Sequence, residues 1–422
     1  MDTLTNSVKL LTTHYQLLDK IGCGTFSSVY KALDIRHDVY DNSFWEPALP
    51  ISPNAAENSD TDIQKPKKER FVALKQIYAT SSPKRMAQEI KILQHLRGAP
   101  CVSQLITAFR QHEYVFLVMP YFRHDEFKDC YRSMTMLDTK YYLKSLLTAL
   151  KHLHSHRILH RDIKPNNFLY NIEMKTGMLI DFGLAQREEE TKPPEPPKSN
   201  SPIRLNMIRK PARSTSSSTF KQKQTPSTPA ALASSNSQPL PTSVPMKAIR
   251  ANRAGTRGFR APEVLLRVTH QTVAIDIWSV GVILLSLLSG RYPFFIAHDE
   301  GDSLIEIASI FGMTEMKDYR TFETNIETIP PSRKSLSKLC QVLNTEKFKL
   351  WAEDDKQNVQ NAIDLVGKML ALDYRKRITA EDALKHPFLS DSQIHPLPSP
   401  SSSPFPSSSS SSTSSYSSSS SL

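Results

Sequence analysis

Residues 160–183 read HRDIKPNNFLYNIEMKTGMLIDFG. Asp162, Lys164 and Asn167 stand in the spacing HRDxKxxN, and Asp181-Phe182-Gly183 follows. Moving a phosphoryl group from ATP to a hydroxyl needs such a set. One carboxylate orients the hydroxyl and accepts its proton, a cation offsets the moving charge, and hard oxygen donors hold Mg²⁺. Asp162 fits the base, Lys164 the cation, and Asn167 and Asp181 the metal ligands. A lone HRD tripeptide also fits a surface turn, so it is the joint spacing of the four groups that selects this chemistry. A lysine two residues after the base is the form used on serine and threonine hydroxyls.

Upstream, the chain supplies a nucleotide site. Gly22-Cys-Gly24-Thr-Phe-Ser-Ser-Val29 lies between two strand-like runs, Tyr15–Gly22 and Ser28–Leu33. Glycines let backbone N–H groups approach phosphates. Ser27 takes the place of the third glycine of GxGxxG, and the motif alone equally suits a plain hairpin. A strand after the loop, where a dinucleotide fold would place a helix, favours the phosphate-covering loop of a kinase. Ile21, Gly22, Gly24, Val29 and Ala73 would frame the nucleotide. Val72-Ala73-Leu74-Lys75 reads as a strand ending in a cation, and Glu89 is the only acidic residue between Gln76 and His112. A Lys75–Glu89 ion pair would hold the ammonium on the α- and β-phosphates. Val118–Phe122 reads as the hinge, with Met119 behind the adenine, Phe122 supplying an N–H and Leu169 forming the floor.

The remaining pattern predicts an α+β, bilobal protein kinase fold, with a small β-rich N-lobe and a larger helical C-lobe carrying long insertions. Phe71–Tyr78 and Val115–Met119 read as strands and Lys84–Arg97 as a helix. Leu143, Leu146, Leu147, Leu150 and Leu153 form one helix face, and Asp276–Leu288 reads as a buried helix. The expected division is a leader over 1–14, an N-lobe over 15–122 with an insertion at 38–69, a C-lobe over 123–390 with an insertion at 187–250, and a tail over 391–422. Residues 187–250 carry eleven of the 29 prolines, with eleven Lys/Arg against four Asp/Glu. The tail has 18 serines in 32 positions. Neither can bury enough apolar surface to offset its ordering entropy, so both are expected to be disordered. Ala261-Pro262-Glu263 and Arg377 are expected to pair as a structural clamp.

Composition narrows the function classes. The chain has 422 residues, room for one kinase core with insertions. Four scattered cysteines without a CxxC pair argue against a disulfide framework or a zinc site. The longest apolar run, Val280–Leu288, is too short to span a bilayer, so no membrane is expected. The net charge of +11, concentrated in 187–250, suits a solvated basic segment or else an acidic partner, an acidic substrate or DNA. No basic helix with interleaved aromatics supports direct sequence-specific nucleic-acid binding.

The segments ANRAGTRGFRAPEVLL (251–266), AIDIWSVGVILLSLLSGRYPFF (274–295), QIYATSSPKR (76–85) and HRDIKPNNFLYN with DFGLAQ resemble the cell division control protein 7 family, the kinases that fire replication origins, in its fungal form. The resemblance covers about residues 15–320 and 365–390. It implies a serine/threonine kinase that uses ATP and Mg²⁺ and is inactive without an activating regulatory subunit of the dumbbell-former type. It also implies a nuclear location. The implied substrates are acidic-context sites in subunits of the minichromosome-maintenance helicase, which would place the chain in DNA replication initiation, the cell cycle and cell division. Arg253 and Arg260 would read the acidic or phosphorylated residue after the acceptor, since guanidinium groups bind such anions bidentately. Residues 321–364 depart from the family pattern, and a third family insertion is expected to be shortened or absent.

Two other readings stay open: a kinase of a casein-kinase or cyclin-dependent branch, told apart by acidic or proline preference after the acceptor, and a non-catalytic scaffold, told apart by failure to bind Mg-ATP. Ser82-Pro83, Ser201-Pro202, Thr225-Pro226 and Thr228-Pro229 fit proline-directed phosphorylation or simple turn prolines. Lys65–Arg70 and Arg209–Arg213 fit nuclear signals or solvated charge.

Overall fold

Alternating burial builds the first sheet. Along β2 (Ser27–Asp34) the inward residues Ser28, Tyr30 and Ala32 alternate with half-exposed neighbours, the period-two pattern of a strand with one covered face. A computed structural model describes residues 8–24, 26–42, 45, 70–188, 203–204, 254–319, 322–323 and 330–390. These fall into two compact units. The first takes the chain up to His160, then Pro165–Gln186 and the stretch from Ala380; the second takes Arg161–Lys164 and Arg187–Thr379.

In the first unit, β1 (Tyr15–Cys23), β2, β3 (Phe71–Ile77), β4 (Thr107–Gln111) and β5 (Tyr114–Pro120) form an antiparallel sheet in the order β1-β2-β3-β5-β4. The β3–β5 register sets Ala73 opposite Met119 and Lys75 opposite Leu117. Helix α1 (Lys9–His14) brings Val8 and Leu11, both fully buried, onto Tyr15, Tyr30, Val72, Leu74, Phe116 and Val118. The second half of the expected leader is therefore part of the core. Two apolar side chains three residues apart form one helical turn's inner face, which a short polar stretch conceals in sequence. The first half of the leader lies outside the described residues.

Helix α2 (Pro83–His95) starts with proline at its first turn and turns Glu89, Ile92 and Leu93 inward. Helix α3 (Met136–Ser155) opens on a capping box, in which Thr135 and Asp138 each bond the other's backbone N–H, and buries the Leu143–Leu153 face. The hairpin β6 (Phe168–Asn171) and β7 (Thr176–Leu179) follows, with Leu169 opposite Met178.

The second unit is helical. α4 (Ala274–Ser289) is buried from Ile275 onward on every side, as its unbroken apolar run implies. A Cβ on Gly281 would sit 2.8 Å from Leu370 Cδ2, so the glycine permits this close packing. α5 (Glu300–Phe311), α6 (Leu336–Leu343) and α7 (Thr345–Met369, interrupted at Asp355) belong to the same unit, with short helices over Pro262–Leu265 and Met313–Tyr319. Residues 203–204 pair in parallel with 322–323. This short pairing is the described part of the 187–250 insertion after residue 188. The tail, most of the 38–69 insertion and Arg253 lie outside the described residues.

Candidate active site

β3 and α2 place two opposite charges in the first unit. Lys75 Nζ donates to Glu89 Oε1 at 2.7 Å and to Asp181 Oδ1 at 2.7 Å. Lys75 and Glu89 are 7% and 6% exposed, whereas the Asp181 side chain is about half-exposed. Burial alone would weaken the ammonium, but the Glu89 and Asp181 carboxylates outweigh it and hold the Lys75 pKa above its ordinary value. Burial likewise raises the Asp181 carboxyl, but Lys75 reverses this and brings it down to about 2.

Asp181 adopts a left-handed backbone (φ 63°) that swings its carboxylate onto Lys75, and Oδ1 also accepts from Gly183 N–H at 3.4 Å. Phe182 is buried edge-on to His160, with ring centroids 5.0 Å apart, and His160 Nε2 bonds Ile180 O at 3.0 Å. Gln88 Nε2, one residue before Glu89, donates to Ala185 O at 2.9 Å, tying α2 to the segment after Gly183. Asn167 is buried, and its carbonyl accepts from Ile180 N–H at 2.9 Å. Around these, Gly22 pairs with Val29 across the glycine turn, and Gly24 N–H bonds Ser27 O at 2.8 Å. Ile21 is exposed; Ala73, Met119, Phe122 and Leu169 are half-buried.

The second unit holds the other group. Asp162 is 8% exposed. Its Oδ1 accepts from Thr256 N–H at 2.8 Å and from Thr256 Oγ1 at 2.6 Å, and its Oδ2 accepts from Lys164 Nζ at 2.8 Å. Lys164 Nζ also donates to Thr256 Oγ1 at 2.8 Å, closing a three-residue ring. Thr256 belongs to this site and was not picked from the sequence; its one signal was its place in RAGT. Gly255 before it has φ +109°, and a Cβ there would lie 2.6 Å from Arg161 O, so only glycine lets this segment reach the loop.

Beneath this loop, Arg161 N–H donates to Asp276 Oδ1 at 2.8 Å. The Arg161 side chain is buried beside Gln271, and burial pushes its pKa down to about 10 against the Asp276 carboxylate. Glu263 and Arg377, both buried, pair at 2.7 and 3.0 Å, with the guanidinium 5.2 Å over the Trp278 ring. Arg260 is committed: its Nε donates to Gly255 O at 2.9 Å and its Nη1 lies 3.6 Å from Glu300.

Comparison with known proteins agrees with this geometry. Residues 61–201 and 236–389 match the protein kinase domain family. The chain is 38% identical over 413 residues to the cell cycle serine/threonine-protein kinase hsk1 of Schizosaccharomyces pombe, covering 92% of this chain and 75% of that one. It is 39% identical over 384 residues to the cell cycle protein kinase spo4 of the same organism, covering 89% and 85%. It is also 39% identical over 393 residues to the probable cell division control protein 7 homolog 1 of Encephalitozoon cuniculi, covering 92% and 95%.

The chain belongs to the protein kinase family and, within it, to the cell division control protein 7 group of cell-cycle serine/threonine kinases. It is an enzyme, an ATP-dependent phosphotransferase, of a family that uses a divalent metal. No helix among the described residues is long and apolar enough to cross a membrane.

Proposed function

We propose that this kinase transfers the γ-phosphoryl group of Mg-ATP to serine or threonine in acidic contexts. Its proposed substrates are subunits of the replicative helicase, and the outcome is initiation of DNA replication in the nucleus. The observation that carries the catalytic part is Lys75 Nζ held at 2.7 Å from both Glu89 and Asp181. A buried ammonium fixed by two carboxylates is a preorganised phosphate clamp, and it needs no reorganisation when substrate arrives.

Asp162 orients the acceptor hydroxyl and takes its proton. Lys164 offsets charge on the transferred group. Thr256 fixes the rotamer of both through its hydroxyl, which donates to Asp162 Oδ1 and accepts from Lys164 Nζ. Ile21, Gly22, Gly24, Val29, Ala73, Met119, Phe122 and Leu169 enclose the nucleotide. Asn167 and Asp181 would hold Mg²⁺, which when bound neutralises the phosphate oxygens. The donor set fits that ion. Mg²⁺ is usually held by one or two carboxylates plus phosphates and water, so it needs no larger protein cage. The described residues contain no cluster of three or more His, Cys, Asp or Glu suited to another metal.

The family membership supports a partner-dependent enzyme, activated by a regulatory subunit of the dumbbell-former type. Arg253 remains proposed as a reader of the acidic residue after the acceptor. Arg260, proposed with it, must exchange Glu300 for substrate, so Glu300 acts as a stand-in anion. The test is ³²P transfer to paired Ser-Asp and Ser-Pro peptides, with and without the regulatory subunit, beside a Lys75→Ala control. Transfer to Ser-Asp that needs the subunit and Mg²⁺ and is lost in the control supports the proposal. Preference for Ser-Pro, or full activity without a partner, overturns its substrate or partner half.

A further inference from the structure

The segment joining β3 to α2 grips the glycine turn. Tyr78 N–H donates to Phe26 O at 2.9 Å, extending the β2–β3 ladder, and Ser81 Oγ donates to the same carbonyl at 3.4 Å. The Tyr78 and Ser28 hydroxyls are hydrogen-bonded to each other at 2.7 Å. The Arg85 guanidinium lies 5.2 Å from the centroid of the Phe26 ring, which is 49% exposed at the turn's tip. Arg85 is thus a side chain by which α2 holds the tip of the turn, and it is a solvent-facing contact.

Ser82 stands at the N-cap of the same helix, exposed, with an extended backbone (φ −60°, ψ 130°) and no side-chain capping bond. The four residues Ser82-Pro83-Lys84-Arg85 put proline directly after a free hydroxyl and a guanidinium three residues after it. Extended backbone before proline and a following cation are what a proline-directed kinase selects. The first turn of α2 contains no acidic residue and two cations, Lys84 and Arg85. A dianionic phosphate at this cap would meet the positive end of a 13-residue helix and both cations.

We propose that Ser82 is an acceptor site for a proline-directed kinase, and that its phosphate captures Arg85 from Phe26 and so loosens the glycine turn over the nucleotide. In the transfer the Ser82 Oγ–P bond forms, the bond between the γ-phosphorus and the β–γ bridging oxygen of ATP breaks, ADP leaves, and the hydroxyl proton passes to the modifying kinase's base. The regulatory half rests on the nucleotide role proposed above; the modification half does not.

The experiment treats the full chain with a purified cyclin-dependent-type kinase and ATP. Phosphate is mapped by mass spectrometry, and Mg-ATP affinity is then measured by titration. Expected is a phosphate at Ser82, absent in Ser82→Ala whichever other Ser/Thr-Pro sites are modified, and a weakening of ATP binding by about two- to fivefold relative to Ser82→Ala treated alike, the worth of an exposed cation–π contact. Arg85→Ala should show that weakening without phosphate and none further on phosphorylation. An unmodified Ser82 in the folded chain overturns the site. Undiminished affinity after phosphorylation, or an equal loss in the Arg85→Ala background, overturns the capture of Arg85. An unmodified chain that binds no Mg-ATP refutes the nucleotide reading and with it the regulatory half, while the mass map still decides the modification.

Discussion

Replacing Thr256 by valine isolates one hydroxyl. The side chain keeps its β-branch and volume, and the Thr256 N–H bond to Asp162 Oδ1 at 2.8 Å is untouched. The Oγ1–Asp162 bond at 2.6 Å and the Lys164–Oγ1 bond at 2.8 Å are lost, and both involve an ionised partner. Hydrogen bonds to charged groups are worth about 1.5–3 kcal/mol when one partner is removed. If that cost appears in positioning Asp162 and Lys164 during transfer, it corresponds to about a 10- to 150-fold loss in rate. The half-buried position of Thr256 adds no core cavity, so the fold should persist. The assay is steady-state ³²P transfer to a Ser-Asp peptide at saturating Mg-ATP with the regulatory subunit present. Expected is a fall in kcat of that size, with KM for ATP unchanged within about twofold, and recovery in Thr256→Ser. Wild-type kcat in the valine variant, or a serine variant as impaired as valine, would refute the ordering role assigned to Thr256.

Arg377→Met should lower unfolding stability by about 3–5 kcal/mol, read from the urea midpoint, because it leaves the fully buried Glu263 without its cation. Arg377→Lys should recover only part of this, since one ammonium cannot reproduce the bonds to both Glu263 oxygens. Asp181 has a folded pKa of about 2, below its ordinary value of 3.8, so its ionisation stabilises the fold above about pH 4 and that contribution fades as pH falls toward 2. Asp181→Asn should therefore flatten the dependence of the urea midpoint on acid over that window. Gly255→Ala should abolish transfer while leaving Mg-ATP binding measurable by titration, because φ +109° and a 2.6 Å clash with Arg161 O disfavour the turn that delivers Thr256.

Local patterns made much of this molecule legible in its sequence. The period-two burial of β2, the 3.6-residue period of α3 and the continuous apolar run of α4 each depend on neighbours a few residues away. Glu89 could be paired with Lys75 on paper because it is the only carboxylate between Gln76 and His112. Val8 and Leu11 were missed because two apolar residues in a polar stretch carry no periodic signal until the sheet supplies a surface. β4 was missed for a similar reason: its residues Thr107–Gln111 are mostly exposed, and its strand identity comes from pairing with β5.

The sequence by itself determined the family, the strands and helices with a clear apolar period and the chemical types at the site, because these rest on spacing within short segments. Tertiary structure alone decided that Thr256 closes a ring with Asp162 and Lys164, and that Arg260 lies against Glu300. Asp162 and Thr256 are separated by 94 positions, across an insertion whose composition encodes no register. Nothing in linear spacing specifies which hydroxyl returns to which carboxylate over such a distance. That choice is made by packing, through the glycine at 255 and the buried Glu263–Arg377 and Arg161–Asp276 contacts that fix the returning segment.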